Sequence, residues 1–219
     1  SQSFYKDTNI SDFWIAASNP SELNMWRVRN IKGVQKAEKR FTVNNATARI
    51  DGKPTLRVYA VPSGNILDMS VTMAGKKLSK RGSILDRSFA QANHLSVGDT
   101  LTIEMNDKRI DTTIEALALS SENIYATKDT ASMMPDPKRY GFIMIDEDRI
   151  ASAYGGLKPY NQVEIQLVKG ADAAEIQNQM DSIFGKKLNF VMVQTDNRGV
   201  NFANAKVIQF QSLATVFPF

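Results

Sequence analysis

The 219 residues contain no cysteine and a single histidine, His94. The first absence excludes disulfides and thiolate metal ligands. The second leaves too little imidazole for a His-based metal centre or a Ser-His-Asp triad. No stretch approaches the roughly 18 consecutive apolar residues of a membrane helix; the longest runs, Phe142 to Ile145 and Phe190 to Val193, are strand-sized. No basic segment leads into an apolar core with a cleavage site, so no signal peptide is expected. Neither a Gly-x-x-x-x-Gly-Lys-Ser/Thr phosphate loop nor a Gly-x-Ser-x-Gly elbow occurs. Charge is not in excess either: 27 basic against 23 acidic residues give +4, evenly spread, which argues against nucleic acid as a partner.

What is present is a globular composition, 42% hydrophobic and 23% charged, long enough for one large domain or two small ones. Phe13 to Ala17 reads as a strand. Asn19 as cap, Pro20 in the first position and Glu22 three residues after the cap predict a helix. Leu23, Trp26 and Ile31 form its apolar face and Gly33 ends it. One extended segment is expected from Val34 through Phe41 to Ile50, then an Asp51-Gly52 turn and a return strand, Thr55 to Val61. The chain therefore opens β-α-β-β.

Between about Pro62 and Met134, short strands alternate with turns at Ala74-Gly75, Val97-Gly98-Asp99 and Asn106-Asp107. One helix, about Asp86 to His94, interrupts them. Such spacing predicts a small curved sheet or partial barrel. Gly98 tolerates positive φ, and Asp99 is expected to bond the backbone that follows it.

From Tyr140 the β/α alternation resumes with a strand, a helix over Asp146 to Tyr154 closed by Gly155-Gly156, and a strand over Asn161 to Val168. The best-marked helix follows. Asp172 and Glu175 make a capping box, Ile176, Met180, Ile183 and Phe184 share a face, and Gly185 stands past the end. Leu188 to Gln194 gives a last strand. Val207, Phe210, Ala214 and Phe217 recur at helical spacing and predict a helix over 201–219. The apolar upswing from Thr215 to Phe219 reads as the approach to a membrane helix.

The expected fold class is α+β, in two subdomains. Residues 1–61 and 136–200 form a discontinuous β-α-β unit, 62–135 a β-rich insert, and 201–219 a C-terminal stalk helix.

Little in this chain suggests chemistry. His94 reads as a helix C-terminal residue favoured by the macrodipole, and Asp146-Glu147-Asp148 as a helix N-terminus. No catalytic, cofactor-binding or metal-binding residue is assigned. The one concentration of charge, Lys76-Lys77-Leu78-Ser79-Lys80-Arg81, reads as a solvated hairpin tip able to touch anionic head groups or an acidic partner. Most methionines fall in apolar patterns, whereas Met133 and Met134 stand beside Pro135 and Pro137 as an exposed soft contact. Lys76, Lys77, Lys80, Arg81, Met133 and Met134 are thus the candidate interaction surface.

Several landmarks fall in an order that is similar to a known family: Ile31-Lys32-Gly33-Val34, the strand-helix-Val97-Gly98-Asp99-strand unit, Ser121 to Tyr125, Tyr160 to Val163, Gly170-Ala171-Asp172 and Val216 to Phe219. Over its whole length the chain resembles the extracytoplasmic, MacB-like periplasmic core domain of FtsX-like (MacB/LolC-type) ABC transporter permeases. The resemblance implies a porter-like subdomain with a sabre-like insert on the outer side of the cell membrane, and no catalytic residues or cofactors. It implies ATP hydrolysis by a separate cytoplasmic ABC ATPase reached through the membrane part of the full protein, mechanotransmission between the two, and a second permease copy making a dimer. An unknown extracytoplasmic substrate or partner protein is also implied. A soluble enzyme or ligand-binding module on a double-psi-like β-barrel is the alternative, since a helix-Val-Gly-Asp-strand unit also occurs in such barrels.

Overall fold

The computed structural model describes residues 11–61, 71–75, 78–119, 136–192 and 199–209. In chain order the first elements are β1 (Phe13–Ala16), α1 (Glu22–Arg29), β2 (Val34–Arg40), β3 (Thr42–Ala48), β4 (Thr55–Val61), β5 (Val71–Gly75) and β6 (Gly82–Asp86). Then come α2 (Arg87–Ala92), β7 (Thr100–Met105), β8 (Lys108–Leu119), β9 (Tyr140–Asp146) and α3 (Glu147–Ser152). The chain finishes with β10 (Gln162–Leu167), α4 (Ala173–Phe184), β11 (Phe190–Met192) and β12 (Val207–Gln209). The α+β class is as expected; the opening is β-α-β-β-β, because the one segment expected from Val34 to Ile50 is two strands.

These strands build two sheets. The first has the order β12-β11-β1-β10-β2. Phe13 and Ile15 alternate inward from β1 and meet Met25, Val28, Ile176 and Met180 from the two longer helices in one apolar core. Helix α4 ends as its sequence dictates: the Asp172 side chain accepts from the Glu175 N–H at 3.2 Å, and Gly185 takes φ +67°, where a Cβ would be strained. Helix α1 starts two residues later than expected. Ser21, not Asn19, is the cap, its hydroxyl accepting from the Asn24 N–H at 3.0 Å.

The second sheet has the order β5-β8-β6-β9-β4-β3-β7, and β7 also pairs with β8. That last ladder closes six strands into a barrel with β5 added outside. Asn106 and Asp107, both at positive φ, make the two-residue turn that brings Met105 opposite Lys108. Ala46, Ala48, Leu56, Val58, Leu101, Ile103, Ile114, Ile143 and Ile145 fill the interior with almost no exposure. Helix α2 supplies Phe89, fully buried against this core. The curved sheet predicted for the insert is real, and it is larger than the insert.

The division of the chain therefore differs from the expected one. Strands β3, β4 and β9, assigned by sequence to the first unit, belong to the barrel. Strands β4 and β9 run parallel in register from Thr55↔Tyr140 to Val61↔Asp146, and their near-continuous apolar runs suit a parallel pair covered on both faces. The chain changes sheet at Phe41, in the middle of what the pattern reads as one strand, and again near Asn161. Phe41 is buried among barrel residues, with Tyr154 and Tyr160 packed edge-on to it at 6.2 and 6.4 Å, so the backbone must leave the first sheet there.

The expected stalk helix is also corrected at its start. Val207 and Ile208 pair parallel with β11 as β12, where β-branched residues complete an otherwise open edge. Before them the Gln177 side chain clamps Lys206, accepting from its N–H at 3.0 Å and donating to its carbonyl at 3.2 Å. Residues 210–219 lie outside the described residues.

Candidate functional site

Of the sequence-predicted surface, Lys76, Lys77, Met133 and Met134 lie outside the described residues. Lys80 and Arg81 are exposed on the turn that leads into β6. That turn is not a hairpin tip. Strand β5 pairs antiparallel and β6 parallel with β8, on opposite sides of it, so the connection straps across β8. Glu115 of β8 holds the strap, accepting from the Ser79 N–H at 2.8 Å and its hydroxyl at 2.5 Å. Gly82 leaves room for the arrangement, since a Cβ there would come within 2.0 Å of the Glu115 side chain.

The acidic run serves structure. Asp146 caps α3 by accepting from the Asp148 N–H at 2.9 Å. Glu147 and Asp148 both pair with Lys158, at 2.9 and 2.8 Å. Donating to the Asp148 and then the Glu147 carboxylate pushes the Lys158 ammonium above its ordinary pKa. Among the described residues no three His, Asp or Glu side chains converge on a metal-sized site.

His94 lies just past α2 with φ +57°. Its N–H donates to the Gln91 carbonyl at 3.4 Å and the next N–H, of Leu95, to that of Ala90 at 2.9 Å, which is the Schellman ending. Glycine is the natural occupant of that place. His94→Gly is expected to stabilise the domain by about 0.5–1 kcal/mol, the left-handed penalty less the entropy that glycine adds to the unfolded chain, read as a higher thermal midpoint. Nearby, Asp99 departs from its expected role: its carboxylate reaches back to the Ser96 N–H at 2.8 Å.

At the other end of α2, the half-buried Asp86 is the cap, accepting from the Ser88 N–H at 2.9 Å. Burial pushes its carboxyl above the ordinary value of 3.8, against the pull of backbone donors from Ser88, Phe89 and Phe142. A native pKa raised above the unfolded one means that folding favours the proton. This contribution is complete below the unfolded pKa and is lost as pH rises through the native one. Asp86→Asn keeps a capping oxygen and removes that loss. The variant is expected to be at least as stable as the parent at pH 7 and to lose the acid-limb slope in urea titrations.

Two arrangements were not legible in the sequence. The first lies where the sheets meet. Arg40 at the end of β2 is buried and donates from Nε and Nη2 to Gln162 Oε1 at 3.1 and 2.9 Å. Its Nη1 pairs with Glu164 at 2.5 Å, the two side chains 8% and 2% exposed. The guanidinium also lies 4.9 Å from the ring centre of Tyr59 on β4, so one cation touches both sheets. Beside it, the Asn161 amide takes the place of a strand neighbour, accepting from the Thr42 N–H and donating to the Thr42 carbonyl, each at 3.0 Å.

The second is on α1. Leu23 and Trp26, expected in the core, are 56% and 62% exposed, while Met25 and Val28 are buried instead. Two i,i+3 stripes compete on this helix, and size misled: the smaller pair faces the sheet. Alongside Trp26, a cleft of about 350 Å³ runs between α1 and α4, lined by Trp26, Arg27, Asn30 and Ile31 on one side and Gln179, Ser182 and Ile183 on the other.

This fold, a helix-backed sheet carrying a β-barrel, is found in solved transporter domains. One is the extracellular domain of the noncanonic ABC-type transporter YknZ from Gram-positive bacteria: TM-score 0.52, 11% identity, covering 82% of this chain and 98% of that one. Another is the periplasmic region of MacB from Actinobacillus actinomycetemcomitans: TM-score 0.51, 9% identity, covering 86% and 92%. No family model and no curated protein matches the sequence. The chain has the fold of a MacB-like periplasmic domain. Among the described residues no helix is long and apolar enough to cross a membrane.

Proposed function

We propose that the chain is the extracytoplasmic domain of an FtsX-like ABC transporter permease and is not an enzyme. The observation that carries this reading is the near-complete coverage of two transporter domains by one continuous fold. In this reading a cytoplasmic ATPase binds and hydrolyses ATP, the membrane part of the permease shifts, and this domain is displaced to act on a substrate or partner outside. Two permease copies form the transporter. The five-stranded sheet with α1 and α4 is the porter-like unit and the barrel the sabre-like one. Such transmission is a population shift between two arrangements of the dimer, biased by nucleotide.

The test uses the full permease with its ATPase in nanodiscs, spin-labelled at exposed Lys53 or Lys187. Distances between the two copies are expected to change on ATP binding, whereas a Lys53–Lys187 pair within one copy stays constant. Inter-copy distances that ignore nucleotide would overturn the proposal. The alternative, a soluble enzyme or ligand-binding module, draws support from closure of the barrel. Against it, the interior is filled by the apolar side chains named above.

A further inference from the structure

We propose that the α1–α4 cleft is a docking site for a protein segment that presents a large apolar side chain beside a carboxylate. Trp26 and Leu23 lie three residues apart on one exposed stripe of α1, with Arg27 next to Trp26 and Asn30 one turn on. At 62% exposure Trp26 leaves most of its surface in water, on a stripe of α1 that the fold does not cover, the kind of exposed apolar surface that marks an interaction site. The cleft is shallow and open, with Ile31 at 6% exposure and the half-buried Ile183 at its base, and a large side chain would lie against it beside Trp26.

Charge selects the occupant. Arg27 is the one charged residue that lines the cleft; the other polar lining groups are the Asn30 and Gln179 amides and the Ser182 hydroxyl. Arg29 also stands in the last turn of α1, and the helix's single acid, Glu22, is already paired with Lys39. The Lys39 hydrogen bond holds the Glu22 carboxyl below its ordinary pKa, so it stays ionised and engaged. An incoming carboxylate therefore meets a cation without a competing acid, and an incoming amine meets repulsion. Tryptophan and arginine side by side are the residue types that dominate binding at protein interfaces. Amide and hydroxyl groups set beside exposed Trp26 suit a peptide, whose own polar groups they can bond, better than a lipid surface.

The site deepens the proposed function by naming where an outside partner would seat, and rests on that reading only for its location. The nucleotide-dependent distances above and the following experiment fail independently. A random 12-residue peptide library displayed on phage is selected on the wild-type domain. Each enriched peptide is then measured against Trp26→Ala and Arg27→Glu by calorimetry. Both substitutions are at exposed positions and are expected to leave the thermal midpoint within about 2 °C. Enriched sequences are expected to place Phe, Trp, Leu or Ile within four residues of Asp or Glu, and to bind each variant at least about tenfold more weakly.

Amide shifts in labelled protein are expected to cluster on α1 and α4. A basic consensus, or enrichment that survives both substitutions, would overturn the proposal. So would a blue shift of Trp26 fluorescence on vesicles of 30% phosphatidylglycerol in phosphatidylcholine, which would make the occupant a membrane. Concentration-dependent self-association abolished by Trp26→Ala would make it a second copy instead, and would overturn it equally.

Discussion

Arg40→Met is expected to destabilise the domain by about 3–5 kcal/mol, because it leaves the Glu164 carboxylate buried without the cation that pairs with it. The loss should appear as a lower urea midpoint with unchanged slope. Glu164→Gln is expected to cost less, since a neutral amide can still accept from the guanidinium. The double variant Arg40→Met/Glu164→Met should recover much of the single-site loss, as matched apolar replacements of buried ion pairs commonly do. Arg40 also lies over Tyr59, so amide exchange should quicken at Thr42 and Gln162, on both sides of the junction. A urea midpoint for Arg40→Met within about 1 kcal/mol of the parent would remove this pair from the account of stability.

The second large effect is at the barrel, where α2 meets β9. Phe89 is fully buried, and a Cβ added at Gly141 would lie only 2.6 Å from the Phe89 Cβ and Cγ. The aromatic residue occupies the space that a side chain at 141 would need. Phe89→Ala is expected to cost about 3–5 kcal/mol through lost burial and the cavity left behind. Gly141→Ala should cost about 1–3 kcal/mol through overpacking. Combined, the two should cost somewhat less than their sum, because removing the ring relieves the contacts with Phe89 Cγ and Cδ2 while the Cβ at 89 still crowds the new methyl; contacting residues are where additivity fails. Strict additivity in a urea-monitored mutant cycle would show that ring and glycine do not share that space.

Local signals in this sequence were reliable where one residue decides one bond. The Asp172 cap, Gly185, the Asn106-Asp107 turn and the strand beginning at Phe13 all appear as read, because each rests on the preferences of a few neighbours. Long-range choices were less legible. Nothing within Val34 to Ile50 marks Phe41 as the crossing point, since both flanking stretches have strand character and the deciding contacts, Tyr154, Tyr160 and Asn161, are more than 100 residues away. Likewise the spacing on α1 offers two faces, and which one meets the sheet depends on strands at either side. Charge read alone suggested Lys80 and Arg81 as a loop tip; the pairing of β5 and β6 on opposite sides of β8 makes it a crossover. Arg40 and Glu164 look like surface residues in the sequence, because their partnership exists only once β2 and β10 are in register.

The polypeptide passes between its two sheets twice, at Phe41 and beside Asn161, and the two passages are bonded to each other: the Asn161 N–H donates to the Arg40 carbonyl at 3.1 Å, and its side chain grips Thr42. A single tether would let the barrel swivel freely. Two backbones laced side by side, with the Arg40 guanidinium packed against Tyr59 next to them, resist swivelling. A displacement of the helix-backed sheet is thus handed on to the barrel, and the two travel together.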